Sequence, residues 1–225
     1  RFLNFLTTKN MILKKNTFHQ RINLEYLIYF PDDYCKEEKK YPLLLFLHGA
    51  GERGGNIDLI KKHGIPKRIE EGENFPFITI APQCREGIWW SNTENIDALE
   101  KLMQNLILDL KVDKKRIYGT GLSMGGFGIL ELALSVPSLF TALVPICGGT
   151  ITNDLSGLEN TPTWLFHGEE DDVIPIESSL LIYKYLKEKN KNIHFTTYPN
   201  ITHDSWTKTY ENKEVYDWLL SFKKL

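Results

Sequence analysis

Apolar positions along this chain come in short runs separated by longer segments of helical period. Residues 24–30 and 43–47 are almost wholly apolar, and residues 77–81, 116–120, 142–147, 163–167 and 193–198 follow the same pattern less strictly. Runs of this length, bounded by Gly, Pro or Asp, read as strands buried on both faces. Between them, residues 92–110 place Ile96, Leu99, Leu102, Met103, Leu106 and Leu110 on one face of a long helix capped by Asn92 or Thr93. Further helices are expected over 56–71 (broken by Gly64 and Pro66), 127–136, 177–190 and 210–222. One or two leading strands fall in residues 18–30 and stop at Pro31-Asp32-Asp33. Strands that alternate with helices predict an α/β fold, a mostly parallel central sheet with helices on both faces. The interval 148–162 is too short for a substantial lid, so an open site is expected. The chain has 225 residues and no repeat or linker, which predicts a single domain with residues 1–17 as an extension ahead of it. Met11 reads as the natural start, with residues 1–10 upstream of it.

Composition narrows the function classes. The net charge of −2 supplies no basic field for nucleic acid or anionic lipid. No apolar run approaches the roughly 18 residues of a membrane span, and residues 2–6 are too short an apolar stretch for a secretory signal. Cys35, Cys84 and Cys147 are odd in number and lack metal-ligand spacing, which argues against a disulfide framework or a zinc site. Free thiols favour a cytoplasmic setting, with secretion after loss of a signal peptide as the alternative. Neither a metal nor an organic cofactor is expected.

The chemistry centres on residues 116–128, RIYGTGLSMGGFG. Gly121-Leu122-Ser123-Met124-Gly125 fits the G-x-S-x-G elbow, in which a strand turns sharply into a helix and lifts a serine hydroxyl clear of the sheet. Glycines flank the serine because side chains there would strike the neighbouring strand and helix. A serine hydroxyl is a weak nucleophile and needs a base in contact, itself oriented by a carboxylate. The run WLFHGEEDDVIP at 164–175 carries a strand into an acidic loop, where Asp171 is the first choice of acid and Asp172 the second; Glu169 and Glu170 read as solvated. His203 follows the last strand and precedes the last helix. The order Ser123, Asp171, His203 is the Ser–Asp–His order of one fold type and differs from the chymotrypsin and subtilisin orders. His48 and His167 end strands ahead of glycines and read as structural hydrogen-bonders; His19, His63 and His194 have no carboxylate partner in view.

An acyl-transfer site also needs donors for an oxyanion. The backbone N–H of Met124 is one candidate, and the N–H of Ala50, in the turn His48-Gly49-Ala50-Gly51, is the other. Trp89, Trp90 and Trp206 have two readings, as an aromatic substrate rim or as core. Arg53 would either hold a polar group of the substrate or brace the loop, the bracing role being preferred. Cys147 and Gly148-Gly149 end a strand on the same sheet edge and would form pocket wall.

The segments LLLFLHGAGERG, GTGLSMGGFG, LFHGEEDDVIP and ITHDSW resemble the α/β-hydrolase superfamily. Within it they are similar to the phospholipase/carboxylesterase group and to the esterases related to feruloyl and polyhydroxybutyrate esterases. The resemblance runs from about Tyr26 to the end. It implies an α/β-hydrolase fold, with Ser123 as nucleophile, Asp171 as acid, His203 as base, and Ala50 and Met124 as the oxyanion hole. The doubled Asp171-Asp172 is a departure that leaves the acid less firmly assigned. Dienelactone hydrolases share the fold with a cysteine nucleophile, and the serine here argues against that chemistry. The expected function is hydrolysis of short-chain or aryl esters, including carbohydrate-linked feruloyl or acetyl esters. The rivals are a serine peptidase on the same fold and a non-catalytic binding protein.

Overall fold

The computed structural model describes residues 7–8, 11–12, 14–18, 23–36 and 38–225. In chain order the strands are β1 (Thr7–Thr8), β2 (Met11–Ile12), β3 (Lys14–Phe18), β4 (Leu24–Tyr29) and β5 (Tyr41–Leu47). After α1 (Gly64–Glu70) come β6 (Ile78–Pro82), α2 (Thr93–Asp109), β7 (Val112–Leu122), α3 (Met124–Ser135), β8 (Ala142–Ile146) and β9 (Thr163–Gly168). The chain closes with α4 (Glu177–Leu186), β10 (Ile193–Tyr198), α5 (Trp206–Glu211) and α6 (Lys213–Ser221).

β1 and β2 pair with each other, and the remaining eight strands form one sheet in the order β10-β9-β8-β7-β5-β6-β4-β3. Within that eight-stranded sheet the contacts β3–β4 and β4–β6 are antiparallel and every other pairing is parallel. This is the mostly parallel sheet expected, and the carboxyl ends of its six parallel strands share one edge. The register of β5 on β7 shifts between Tyr41 and Leu43, around Pro42, which has no N–H to give to a ladder.

Side chains alternate across the sheet into two cores. Leu43, Leu45 and Leu47 join Leu99 and Leu102 of α2, Ile129 and Leu130 of α3, and Ile182 of α4. Leu44 and Phe46 join Ile65 of α1, Tyr210 of α5, and Val215 and Leu219 of α6. Helices therefore cover both faces, which explains the continuous apolar runs of the central strands. Each fully buried Leu or Ile contributes roughly 1.5–3 kcal/mol. The segment between β8 and β9 holds only a short 3-10 turn, Ser156–Leu158, and no lid.

Four expectations need correction. Residues 14–17 belong to the sheet through β3 and are not an extension; the other leading-strand residues, 19–22, lie outside the described set. α3 starts at Met124 and not at 127, because Gly125, Gly126 and Gly128 are close-packing contacts inside the helix and do not interrupt it. The single closing helix over 210–222 is two helices, since Asn212 ends α5 and its side chain accepts the Glu214 N–H to start α6. Trp90 is fully buried and donates its indole N–H to the His48 carbonyl at 3.1 Å, so it is core and not substrate rim.

Candidate active site

Ser123 sits between β7 and α3 with φ 52° and ψ −118°, a left-handed backbone that costs a non-glycine residue about 1–3 kcal/mol. The surroundings over-determine it. Its N–H donates to the Ile146 carbonyl of β8 at 2.9 Å, and its carbonyl accepts the Phe127 N–H at 3.1 Å. A Cβ on Gly121 would strike the carbonyl of Gly125, and one on Gly125 would strike the carbonyl of Leu47 at the end of β5. The two elbow glycines are therefore required by backbone contact on either side of the serine. Below the elbow, Thr120 donates to the Val144 carbonyl at 2.7 Å and meets the buried Tyr210 hydroxyl at 2.9 Å.

The loops after β7, β9 and β10 bring Ser123, Asp171 and His203 together. His203 Nε2 lies 2.8 Å from Ser123 Oγ, and its Nδ1 lies 2.8 and 2.9 Å from the two Asp171 oxygens. Asp171 faces only acceptor-seeking donors, so His203 Nδ1 carries its hydrogen and Nε2 is free to accept from the serine. The Asp171 side chain is fully buried while Asp172 is exposed. Burial by itself would raise the Asp171 carboxyl, but the His203 hydrogen bond and the N–H groups of Ile174 and Val173 hold it below its ordinary value. The loop bearing His203 reaches β9 because Gly168 has no side chain; a Cβ there would meet the carbonyls of Ile201 and Thr202. Asn200, in the left-handed region at φ 57°, makes the accompanying turn. Both were missed in the sequence, although the Gly after His167 was the available signal.

Met124 is the first residue of α3, so its N–H has no acceptor within the helix and points out of the helix N-terminus. Ala50 opens the 3-10 turn Ala50–Glu52 that follows β5. His48 braces this turn. It is fully buried; its Nε2 accepts the Cys84 N–H at 2.9 Å, so its Nδ1 carries the hydrogen and donates to the Gly49 carbonyl at 2.6 Å. Burial lowers the His48 pKa to about 4, so the ring is neutral at pH 7. Arg53 donates to the carbonyls of Ala50 at 2.9 Å and Ile88 at 3.2 Å, and its guanidinium lies 5.7 Å from the Trp89 ring. It braces the loop through carbonyls and not through Glu52, which is buried with His63 3.7 Å from its carboxylate. Trp89 is 46% exposed and stands on the sheet edge that carries Ser123. Trp206 packs edge-on to His203, ring centroids 5.2 Å apart, and its ring centroid lies 5.6 Å from that of His63.

Cys147, at φ 39° just past β8, has its thiol pushed up to about 12 by burial. Its sulfur, Asp171 and His203 form the one group of three potential metal ligands found among the described residues, their ligand atoms within 4.8 Å of one another. The thiol resists deprotonation and the other two already bond each other, so the donor set suits a hydrogen-bonded relay better than a metal ion.

The sequence signature of the phospholipase/carboxylesterase family matches residues 73–216. The chain is 30% identical over 173 residues to a protein of Aspergillus niger named "Probable feruloyl esterase C", covering 73% of this chain and 61% of that one. Among solved structures, a thermostable esterase superposes with a TM-score of 0.83 at 31% identity over 94% of this chain and 63% of its own. An acylaminoacyl peptidase of Pyrococcus horikoshii shares the fold, with a TM-score of 0.71 at 18% identity over 96% of this chain and 43% of its own. The chain thus spans less than two thirds of the length of each of these relatives. With a serine elbow on a mostly parallel sheet and a family signature over residues 73–216, this chain belongs to the phospholipase/carboxylesterase family of α/β-hydrolases.

Proposed function

We propose that the chain is a serine carboxylic-ester hydrolase acting through an acyl-enzyme. The observation that carries this is the unbroken hydrogen-bonded series from Ser123 Oγ through His203 to Asp171, each step 2.8–2.9 Å. In the proposed reaction His203 Nε2 takes the Ser123 proton as Oγ attacks the ester carbonyl, and Asp171 stabilises the resulting imidazolium. The N–H groups of Met124 and Ala50 receive the oxyanion, each donor worth about 3–4 kcal/mol in the barrier. His203 then protonates the leaving alcohol, and a water activated by the same nitrogen releases the acid.

For substrates, the open sheet edge and half-exposed Trp89 suit short-chain or aryl acyl groups, including those carried on carbohydrate. The feruloyl esterase name of the Aspergillus relative supports that class. No described helix is long and apolar enough to cross a membrane. The decisive experiment pairs wild type with Ser123→Ala on p-nitrophenyl acetate and with a fluorophosphonate probe. Wild type should turn over and label at Ser123, and the variant should lose at least about 10³-fold in kcat/KM and all labelling. Retained turnover in the variant would remove the nucleophile. Acetyl, butyryl, octanoyl and feruloyl esters beside a p-nitroanilide then define the acyl group and separate ester from amide hydrolysis.

A further inference from the structure

His167, at the end of β9, has no part in the reaction as written above, yet both its ring nitrogens are engaged and the side chain is fully buried. Its Nε2 lies 2.9 Å from the Ile174 carbonyl oxygen and 3.2 Å from Asp171 Oδ2. Its Nδ1 lies 2.8 Å from the Ser179 hydroxyl of α4, which is 2.9 Å from the Gly148 carbonyl. Nε2 therefore faces two acceptors and no donor, which requires it to carry hydrogen. Burial pushes this imidazole below its ordinary value, against the pull of the Ile174 carbonyl and Asp171, so the ring is neutral at pH 7 and Nδ1 is bare. The Ser179 hydroxyl, which donates to the Gly148 carbonyl at 2.9 Å, shares its single hydrogen between that carbonyl and the bare Nδ1 at 2.8 Å.

We propose that His167 is a positioning residue for the hydrolytic site: its Nε2–H, bonded to the Ile174 carbonyl at 2.9 Å, is shared with Asp171 Oδ2 at 3.2 Å, and Ser179 supports the tautomer that makes this sharing possible. The inference rests on the serine-hydrolase reading of the same three residues. With His167 in place the carboxylate is saturated. Oδ1 accepts the Val173 and Ile174 N–H groups at 3.0 and 2.9 Å, and Oδ2 is shared between His203 and His167. Any rotation of the carboxylate loses at least one buried bond, which holds its plane for His203. The donation also draws charge from Oδ2, so Asp171 stabilises the His203 imidazolium less than it would alone. Asp171 is the fourth residue after His167, and that spacing returns the loop onto the strand end; Asp172, one residue on, is exposed. The other titratable groups facing this cluster are the Cys147 thiol from the end of β8 and Asp204, exposed and bonded to Thr207.

The test compares His167→Leu, which removes the donor at similar volume, with His167→Gln, whose amide N–H reaches the Nε2 position, and with Ser179→Ala. For His167→Leu, kcat on p-nitrophenyl acetate should fall about ten- to a hundredfold with KM within about twofold. The acidic limb of its kcat/KM profile should move to higher pH, because the freed carboxylate holds the imidazolium more strongly. His167→Gln should restore most of both effects, and Ser179→Ala should move both in the direction of His167→Leu by less. An unmoved limb in a folded His167→Leu, with His167→Gln no better, would overturn the proposal. Should His167→Leu not fold, long-range 1H–15N spectra of wild type decide: hydrogen on Nε2 with bare Nδ1 is expected, and the opposite tautomer refutes the idea. The spectra need no turnover, and fluorophosphonate labelling of wild type tests the serine-hydrolase reading separately. A wild type that labels beside indifferent His167 variants would thus sink only this inference.

Discussion

Acidification should loosen this protein through His48 before it touches most carboxylates. The ring is 1% exposed, and burial moves its pKa from 6.5 to about 4. In an unfolded chain the same side chain takes up a proton near pH 6.5, whereas the folded protein refuses it until about pH 4. Between those values the unfolded state binds more protons, so stability falls as pH falls. The contribution is present in full above pH 6.5 and is lost as pH drops through about 4. At about 1.4 kcal/mol per unit, the loss is about 3 kcal/mol, a large share of the 5–15 kcal/mol typical of a domain. Urea unfolding across that window measures it, with His48→Gln as the comparison. Glutamine keeps an acceptor for the Cys84 N–H but cannot titrate, so the difference in stability between the two proteins should shrink by about 3 kcal/mol on acidification. Groups common to both, His167 included, cancel in that difference. Parallel stability–pH curves would refute the reasoning.

Two further outcomes follow from the site. Asp171→Asn should lower kcat/KM by about 10³- to 10⁴-fold with the fold retained, whereas Asp172→Asn, at an exposed position, should stay within about twofold on the same ester assay. Gly125→Ala would drive a methyl group into the Leu47 and His48 carbonyls and should cost about 3 kcal/mol or more in thermal or urea unfolding. Gly51→Ala, with nothing within 4 Å of the new Cβ, should change stability by less than about 0.5 kcal/mol; equal effects at the two glycines would contradict the packing of the elbow.

The strand–helix alternation, the elbow around Ser123 and the order Ser123, Asp171, His203 could all be read along the chain, because each is a local pattern. Apolar runs mark strands buried on both faces, and glycines mark places where backbone meets backbone. From a parallel sheet it then follows that residues just past the strand ends share one edge. The pattern could not say which of two adjacent tryptophans is core. Trp90 lies under the His48 carbonyl and Trp89 over Arg53, contacts that span tens of residues. Nor could it separate Asp171 from Asp172, since that depends on which carboxylate meets the Val173 and Ile174 N–H groups and the imidazoles of His167 and His203. The second strand pairing of the antiparallel edge and the break at Asn212 were decided the same way, by partners distant in sequence. Periodicity records how much of each side chain leaves water; which group it then bonds is set only when the sheet order brings remote loops to one edge.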